Sequence, residues 1–171
     1  MSPLLIVVGG LPATGKSTVA AELARRTGFS FLRVDTIEQA VLGSTALTPP
    51  LGPVGYVVAR AVAADLLRTG VSVIAECVNP LAVTRDAWRD TATAHGARLL
   101  EAEIVCSDPA EHRRRAETRD TGIAGHVPPT WAAIVAREYE PWTRERLVVD
   151  TSRVPADEAA AVIEAAARPR R

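Results

Sequence analysis

Residues 4–18 read Leu4-Leu5-Ile6-Val7-Val8-Gly9-Gly10-Leu11-Pro12-Ala13-Thr14-Gly15-Lys16-Ser17-Thr18. The unbroken apolar run Leu4 to Val8 lacks the alternation of a half-exposed strand and reads as one buried on both faces, as in a parallel sheet. Gly10 to Ser17 then fits G-x-x-x-x-G-K-[ST]. In that pattern the glycines let the chain curl so that backbone N–H groups point inward. The helix that follows, Ser17 to Arg26 with Val19 and Leu23 at helical spacing, aims its positive end at the same place. A lysine there reaches the outer phosphates of a nucleotide as a point charge, and the adjacent hydroxyl suits Mg²⁺. Gly10, Leu11, Pro12, Ala13, Thr14, Gly15, Lys16, Ser17 and Thr18 are therefore the candidate nucleotide-binding residues. Lys16 is expected in a solvent-facing loop. It is the only lysine among the 20 basic side chains.

Working outward, 171 residues suit one domain, expected over 1–171, with 47% hydrophobic and 23% charged residues sufficient for one sizeable core. Twenty basic and twenty acidic side chains cancel, so neither a nucleic-acid surface nor an acidic tail is favoured. A GTPase would need the N-K-x-D motif, and no second lysine exists to supply it. The N-terminus has no basic stretch, and its apolar run is too short to span a membrane, so a cytoplasmic protein without a membrane partner is expected. Cys77 and Cys106 lack metal-type spacing and read as small hydrophobes. His95, His112 and His126 show no ligand spacing and are expected at the surface.

Strand and helix signals alternate along the chain. Further strands are expected at Phe31–Val34, Val71–Ala75, Arg98–Val105 and Leu147–Val149. Helices are expected at Thr36–Leu42, Val54–Arg68, from the Asn79-Pro80 start to about Ala94, from the Asp108-Pro109-Ala110-Glu111 start, from Thr130 to about Glu140, and at Ala156–Ala167. Loop 43–55, rich in proline and glycine, is long enough to suggest a role with substrate. Such alternation predicts an α/β fold with a five-stranded parallel sheet covered on both faces, and ligands at the carboxyl ends of the strands.

Three features fall at such ends. Asp35 follows the second strand, where a carboxylate can take the proton of an attacking hydroxyl; with Glu38 it equally forms a helix-capping pair. Glu76 ends the third strand and, beside a phosphate loop, supports Mg²⁺ together with Ser17; many strands also end in an acid with no such role. Arg115 and Arg119, four apart on one expected helix, can neutralise phosphate charge from a lid spanning about 113–129, or belong to a solvated charged face with Glu111 and Glu117.

With these residues in view, the chain resembles the P-loop small-molecule kinases, and within them the chloramphenicol phosphotransferase-like and zeta-toxin-like group. Arg33-Val34-Asp35-Thr36-Ile37-Glu38-Gln39-Ala40 is similar to that group's segment after the second strand, which implies the base role for Asp35. Residues 105–120 are similar to its lid segment, which implies phosphate contacts for Arg115 and Arg119. The resemblance implies a Mg²⁺-dependent kinase, with Lys16, Asp35, Arg115 and Arg119 in catalysis, ATP as phosphoryl donor, and a hydroxyl of a small molecule (a metabolite, nucleotide-sugar or antibiotic) as acceptor. Glu76 departs from the pattern, where aspartate is common. The D-x-D of shikimate kinases after strand two and the D-G-D-x-x-R of adenylylsulfate kinases are both missing. Two other readings stay open: a polynucleotide-end kinase of the same fold, and a nucleotide-binding regulatory or toxin-type module. Monomer and homodimer are both compatible with the sequence.

Overall fold

The computed structural model describes residues 2–44 and 47–168. Five strands, β1 (Leu4–Gly9), β2 (Ser30–Arg33), β3 (Val73–Glu76), β4 (Arg98–Val105) and β5 (Leu147–Asp150), form one sheet in the order β2-β3-β1-β4-β5. Every neighbouring pair is parallel. The helices are α1 (Lys16–Thr27), α2 (Val34–Ser44), α3 (Val54–Arg68), α4 (Ala82–Ala94), α5 (Pro109–Thr118), α6 (Trp131–Val135) and α7 (Ala156–Ala167).

The central strand β1 divides the core. Leu4, Ile6 and Val8 pack with Val19 and Leu23 of α1 and Ile163 of α7. Leu5 and Val7 pack on the opposite face with Ala59, Ala63 and Leu67 of α3 and Trp88 of α4. Side chains that alternate across a strand are all apolar here because both faces are covered. A third cluster, Ala13, Ala116 and Ile134, fastens the phosphate loop to α5 and α6. Helix α5, which takes in the first part of the expected 113–129 lid, thus packs against the phosphate loop, and the stretch after it is non-helical.

Three expected elements differ. Asn79 does not cap α4. It lies three residues before the helix, wholly buried, with φ at +54°, a left-handed conformation that asparagine tolerates better than most residues. The cap comes from far along the chain: the Ala82 N–H donates to Glu140 Oε2 at 2.6 Å. The helix expected to reach Glu140 stops at Val135. Buried Arg85 captures the next segment, donating to the Glu140 carbonyl at 2.8 Å and the Pro141 carbonyl at 3.2 Å, with its guanidinium 4.2 Å from the Trp142 ring centre. Asp35, expected at a strand end, lies in the first turn of α2, which starts directly after Arg33. Because α2 reaches Ser44 and α3 starts at Val54, the described part of the expected 43–55 loop that is not helical shrinks to 47–53.

Candidate active site

The phosphate loop lies between β1 and α1 and is held by its glycines. Gly10 has φ at +142°, and a Cβ there would stand 2.2 Å from the Ile104 carbonyl oxygen. Gly15 has φ at +91° immediately before α1. The loop is also clamped from outside. The His112 Nε2–H donates to the Pro12 carbonyl at 2.8 Å, and the ring meets Trp131 edge to face. The Thr151 hydroxyl donates to the Thr14 carbonyl at 2.6 Å. His112 is therefore buried rather than at the surface.

Lys16 is also buried. It is 3% exposed, and Nζ stands 3.3 Å from Glu76 Oε1. The expectation of a solvent-facing lysine fails because α1 begins at Lys16 itself and β3 brings Glu76 level with Val8 of β1. Arg33 Nε stands 3.0 Å from the other Glu76 oxygen. These are ion-pair distances, yet neither Glu76 oxygen receives an aligned hydrogen bond. A buried carboxylate so poorly satisfied has coordination capacity to spare.

Two cavities meet at this point. The first, about 610 Å³, is lined by Lys16, Ser17, Thr18, Arg33, Arg115 and Thr151, with Asp120, Thr121 and Gly122 above. The second, also about 610 Å³, is lined by Asp35, Glu38, Tyr56, Thr84, His126 and Arg137, with Pro49, Gly52 and Pro53 from the 47–53 segment. Arg119 lines both. Arg119 caps α5 in an extended conformation and does not share a helical face with Arg115, as its spacing suggested. Burial pulls its guanidinium down from the ordinary value, Asp35 raises it and Arg33 lowers it further. Its Nε has no hydrogen-bond partner among the described residues.

Arg115 is differently placed. It donates to the Thr151 hydroxyl at 2.8 Å, the Thr151 carbonyl at 3.0 Å and Glu111 at 2.7 Å. It braces the phosphate loop while lining the first cavity. Thr151, directly after β5, is a site residue the sequence reading missed, although the rule that sites gather at strand ends points to it.

The second cavity is ordered from below. The Asn79 N–H donates to the Tyr56 hydroxyl at 2.8 Å, and the Arg85 Nε–H donates to the Asn79 carbonyl at 3.0 Å. Burial raises the Tyr56 hydroxyl well above its ordinary value of 10.0, so it stays a neutral donor. Glu38 lies across Gly55 in the first turn of α3, where a Cβ would fall 2.4 Å from Glu38 Cγ. Burial, then the nearby Asp35 charge, raises the Glu38 carboxyl, partly offset by Arg137. Among the described residues, no hydrogen bond or ion pair engages the Asp35 carboxylate.

The residues present fit a Mg²⁺-nucleotide. The glycines leave room for close backbone approach, and Ser17 and Glu76 could hold the ion. Mg²⁺ in such sites keeps several waters and takes one or two carboxylates plus phosphate oxygens. Accordingly, no cluster of three or more metal-binding side chains is needed, and none occurs among the described residues.

Residues 5–127 match the AAA_33 family, described as an AAA domain. The chain belongs to the AAA_33 family. A shikimate kinase from Frankia casuarinae is 33% identical over 172 residues, covering 96% of this chain and 73% of that protein. Among solved structures, a Chloroflexus aurantiacus protein superposes with a TM-score of 0.77 at 20% identity, covering 96% of each chain. The APS kinase of Mycobacterium tuberculosis in complex with AMPPNP and APS gives 0.68 at 20% identity, again covering 96% of each. The AAA_33 chain therefore has a P-loop kinase fold, as its sequence suggested. The narrower likeness to chloramphenicol phosphotransferases and zeta toxins rests on the sequence segments alone. No described helix is long and apolar enough to cross a membrane.

Proposed function

We propose that the protein is an ATP- and Mg²⁺-dependent phosphotransferase of the cytoplasm that moves the γ-phosphoryl group to a hydroxyl of a small molecule. One observation carries this reading: Arg119 stands between a cavity floored by the phosphate loop and a cavity lined by the unpaired carboxylate of Asp35. Phosphoryl transfer asks little covalent chemistry of a protein; it asks that donor and acceptor oxygens be aligned and that charge on the moving group be balanced.

In this reading the first cavity takes ATP, with its phosphates on the loop backbone and Lys16. Ser17 and Glu76 would hold Mg²⁺, which would supply positive charge to offset that of the phosphates. The second cavity takes the acceptor. Asp35 orients the acceptor hydroxyl and receives its proton. Arg119 lies where charge develops on the phosphoryl group, and burial strengthens that interaction. Arg115 shapes the loop from behind. Segment 47–53 forms the substrate side, and 119–129 is the cover. The name of the Frankia relative does not fix the acceptor, because Asp35 stands without the D-x-D pattern.

Incubation with Mg²⁺ and γ-labelled ATP across a panel of metabolite, sugar and antibiotic alcohols tests this. Label should appear on one alcohol class with the wild type and on none with Lys16→Ala. Transfer to a polynucleotide end instead would identify the acceptor as nucleic acid. Label on no acceptor, together with ATP-dependent capture of a protein partner, would replace the enzyme reading with a regulatory module.

A further inference from the structure

Arg33 ends β2 and lies opposite Glu76, the last residue of β3, in the parallel register. Its guanidinium faces two ways. Nε stands 3.0 Å from Glu76 Oε2, while Nη1 donates to the Thr121 carbonyl at 2.8 Å. Thr121 belongs to the non-helical stretch that, with Asp120 and Gly122, covers the first cavity. One side chain, 17% exposed, thus joins the buried carboxylate that pairs with Lys16 to the backbone of the cavity roof, 88 residues away in sequence.

The two links differ in kind. The roof link is a directed hydrogen bond to a carbonyl. The link to Glu76 is charge alone, because the buried Nε is not aligned on it and neither Glu76 oxygen receives a hydrogen bond. An undirected ion pair yields readily to a competing cation, whereas the directed bond keeps its partner. Arg33 also lies close enough to Arg119 to act on its charge, so whatever moves Arg33 is felt at the cation between the two cavities.

We propose that Arg33 is a positioning residue that couples the charge state around Glu76 to closure of segment 119–122 over the nucleotide. The proposal rests on the reading of Glu76 as a Mg²⁺-supporting carboxylate. A divalent ion taken up there removes Arg33's ionic partner and repels its guanidinium. Arg33 keeps the Thr121 carbonyl, turns toward the phosphate charge and draws the roof inward. Nucleotide without the ion leaves Arg33 shared between Glu76 and the Thr121 carbonyl, as it stands in this structure, and the roof is not drawn inward. Lysine cannot serve, because one ammonium lacks the fork that reaches two partners at once.

Hydrogen–deuterium exchange of the 119–125 backbone amides, read by mass spectrometry with AMPPNP plus Mg²⁺ and with AMPPNP plus EDTA, tests this without any acceptor. In the wild type, Mg²⁺ should slow exchange by about tenfold or more beyond nucleotide alone, the size one charge-assisted hydrogen bond gives to a local opening equilibrium. Arg33→Lys should keep wild-type thermal stability to within about 3 °C, bind AMPPNP by calorimetry, and lose the Mg²⁺-dependent slowing. Arg33→Gln, which removes the charge, should lose it too and serves if the lysine variant is poorly folded. Equal Mg²⁺-dependent slowing in either variant would overturn the coupling, as would slowing in the wild type by nucleotide alone. Failure of the wild type to bind AMPPNP at all would instead overturn the nucleotide reading beneath it.

Discussion

Lys16 Nζ and Glu76 Oε1 are 3.3 Å apart, and the two side chains are 3% and 1% exposed. The lysine of the phosphate loop is therefore half of a buried ion pair as well as the proposed phosphate ligand. Removing one member of such a pair leaves an uncompensated charge, here relieved in part by Arg33. Lys16→Ala should abolish transfer and also cost about 2–4 kcal/mol of folding stability. Adding Glu76→Gln should recover about half of that cost, because the orphaned charge is then gone. Urea unfolding of the two variants checks both. A single variant within about 0.5 kcal/mol of wild type would mean that the pair contributes nothing to the fold.

Gly55 tests whether Glu38 is held by design of the helix packing. Alanine in a helix is ordinarily about 1 kcal/mol better than glycine. At position 55 its Cβ would fall 2.4 Å from Glu38 Cγ. Gly55→Ala should therefore destabilise by about 1–2 kcal/mol, the usual cost of forced overpacking. In a Glu38→Ala background the same change should become neutral or stabilising. Thermal unfolding of the four proteins measures the coupling, and additivity would show that Glu38 does not seat on Gly55.

Glu38 also predicts a pH dependence with a definite sign. Its folded carboxyl titrates above its ordinary value of 4.5, through burial and then Asp35. The folded state thus binds the proton more tightly than the unfolded chain. Stability falls as pH rises from about 4.5 through the raised value, and the loss persists at neutral pH. Glu38→Gln should flatten that portion of the stability curve and stabilise the fold modestly at pH 7, since the partly exposed carboxyl is screened by solvent. A variant whose curve parallels the wild type through this window would contradict the shift.

Arg119 and Arg115 should separate in kinetics. Arg119 has an unpartnered Nε and lines both cavities. Arg119→Ala should lower kcat by about 10²–10³ with little change in ATP affinity or melting temperature. Arg115 is committed to Thr151 and Glu111, so Arg115→Ala should cost about 1–3 kcal/mol of stability and weaken ATP binding through the loop it braces. Interchanged behaviour would reverse the assignment.

The sheet was legible because its signals are local. The run Leu4 to Val8, the glycine-bearing loop and the helix after it are specified by adjacent residues, and the structure places them in the central strand, the site and α1. The cap of α4 was not legible, because Glu140 supplies it from 58 residues away and releases Asn79 to a left-handed turn. Burial of Lys16 depends on the register that sets Glu76 beside Val8, which no local pattern encodes. Arg33 and Thr151 escaped notice for the same reason: each carries ordinary strand-end chemistry, and its partners, Thr121 and Arg115, lie far along the chain. Asp35 and Glu76 could be singled out as candidates because each is an acid at or just past a strand end beside the phosphate loop, which local sequence does show.

The most direct test of the account is Asp35→Asn, assayed for transfer of labelled γ-phosphoryl from ATP to the acceptor alcohol, alongside ATP affinity in Mg²⁺. Asp35 lies within the first turn of α2 with no engaged carboxylate among the described residues, so asparagine should leave the fold and the melting temperature essentially unchanged. It cannot receive the proton of the acceptor hydroxyl. Transfer should fall by about 10²–10⁴, the contribution of a positioned base, while ATP affinity holds. Full transfer activity in Asp35→Asn would contradict the assignment of the second cavity as the acceptor site and of Asp35 as its base.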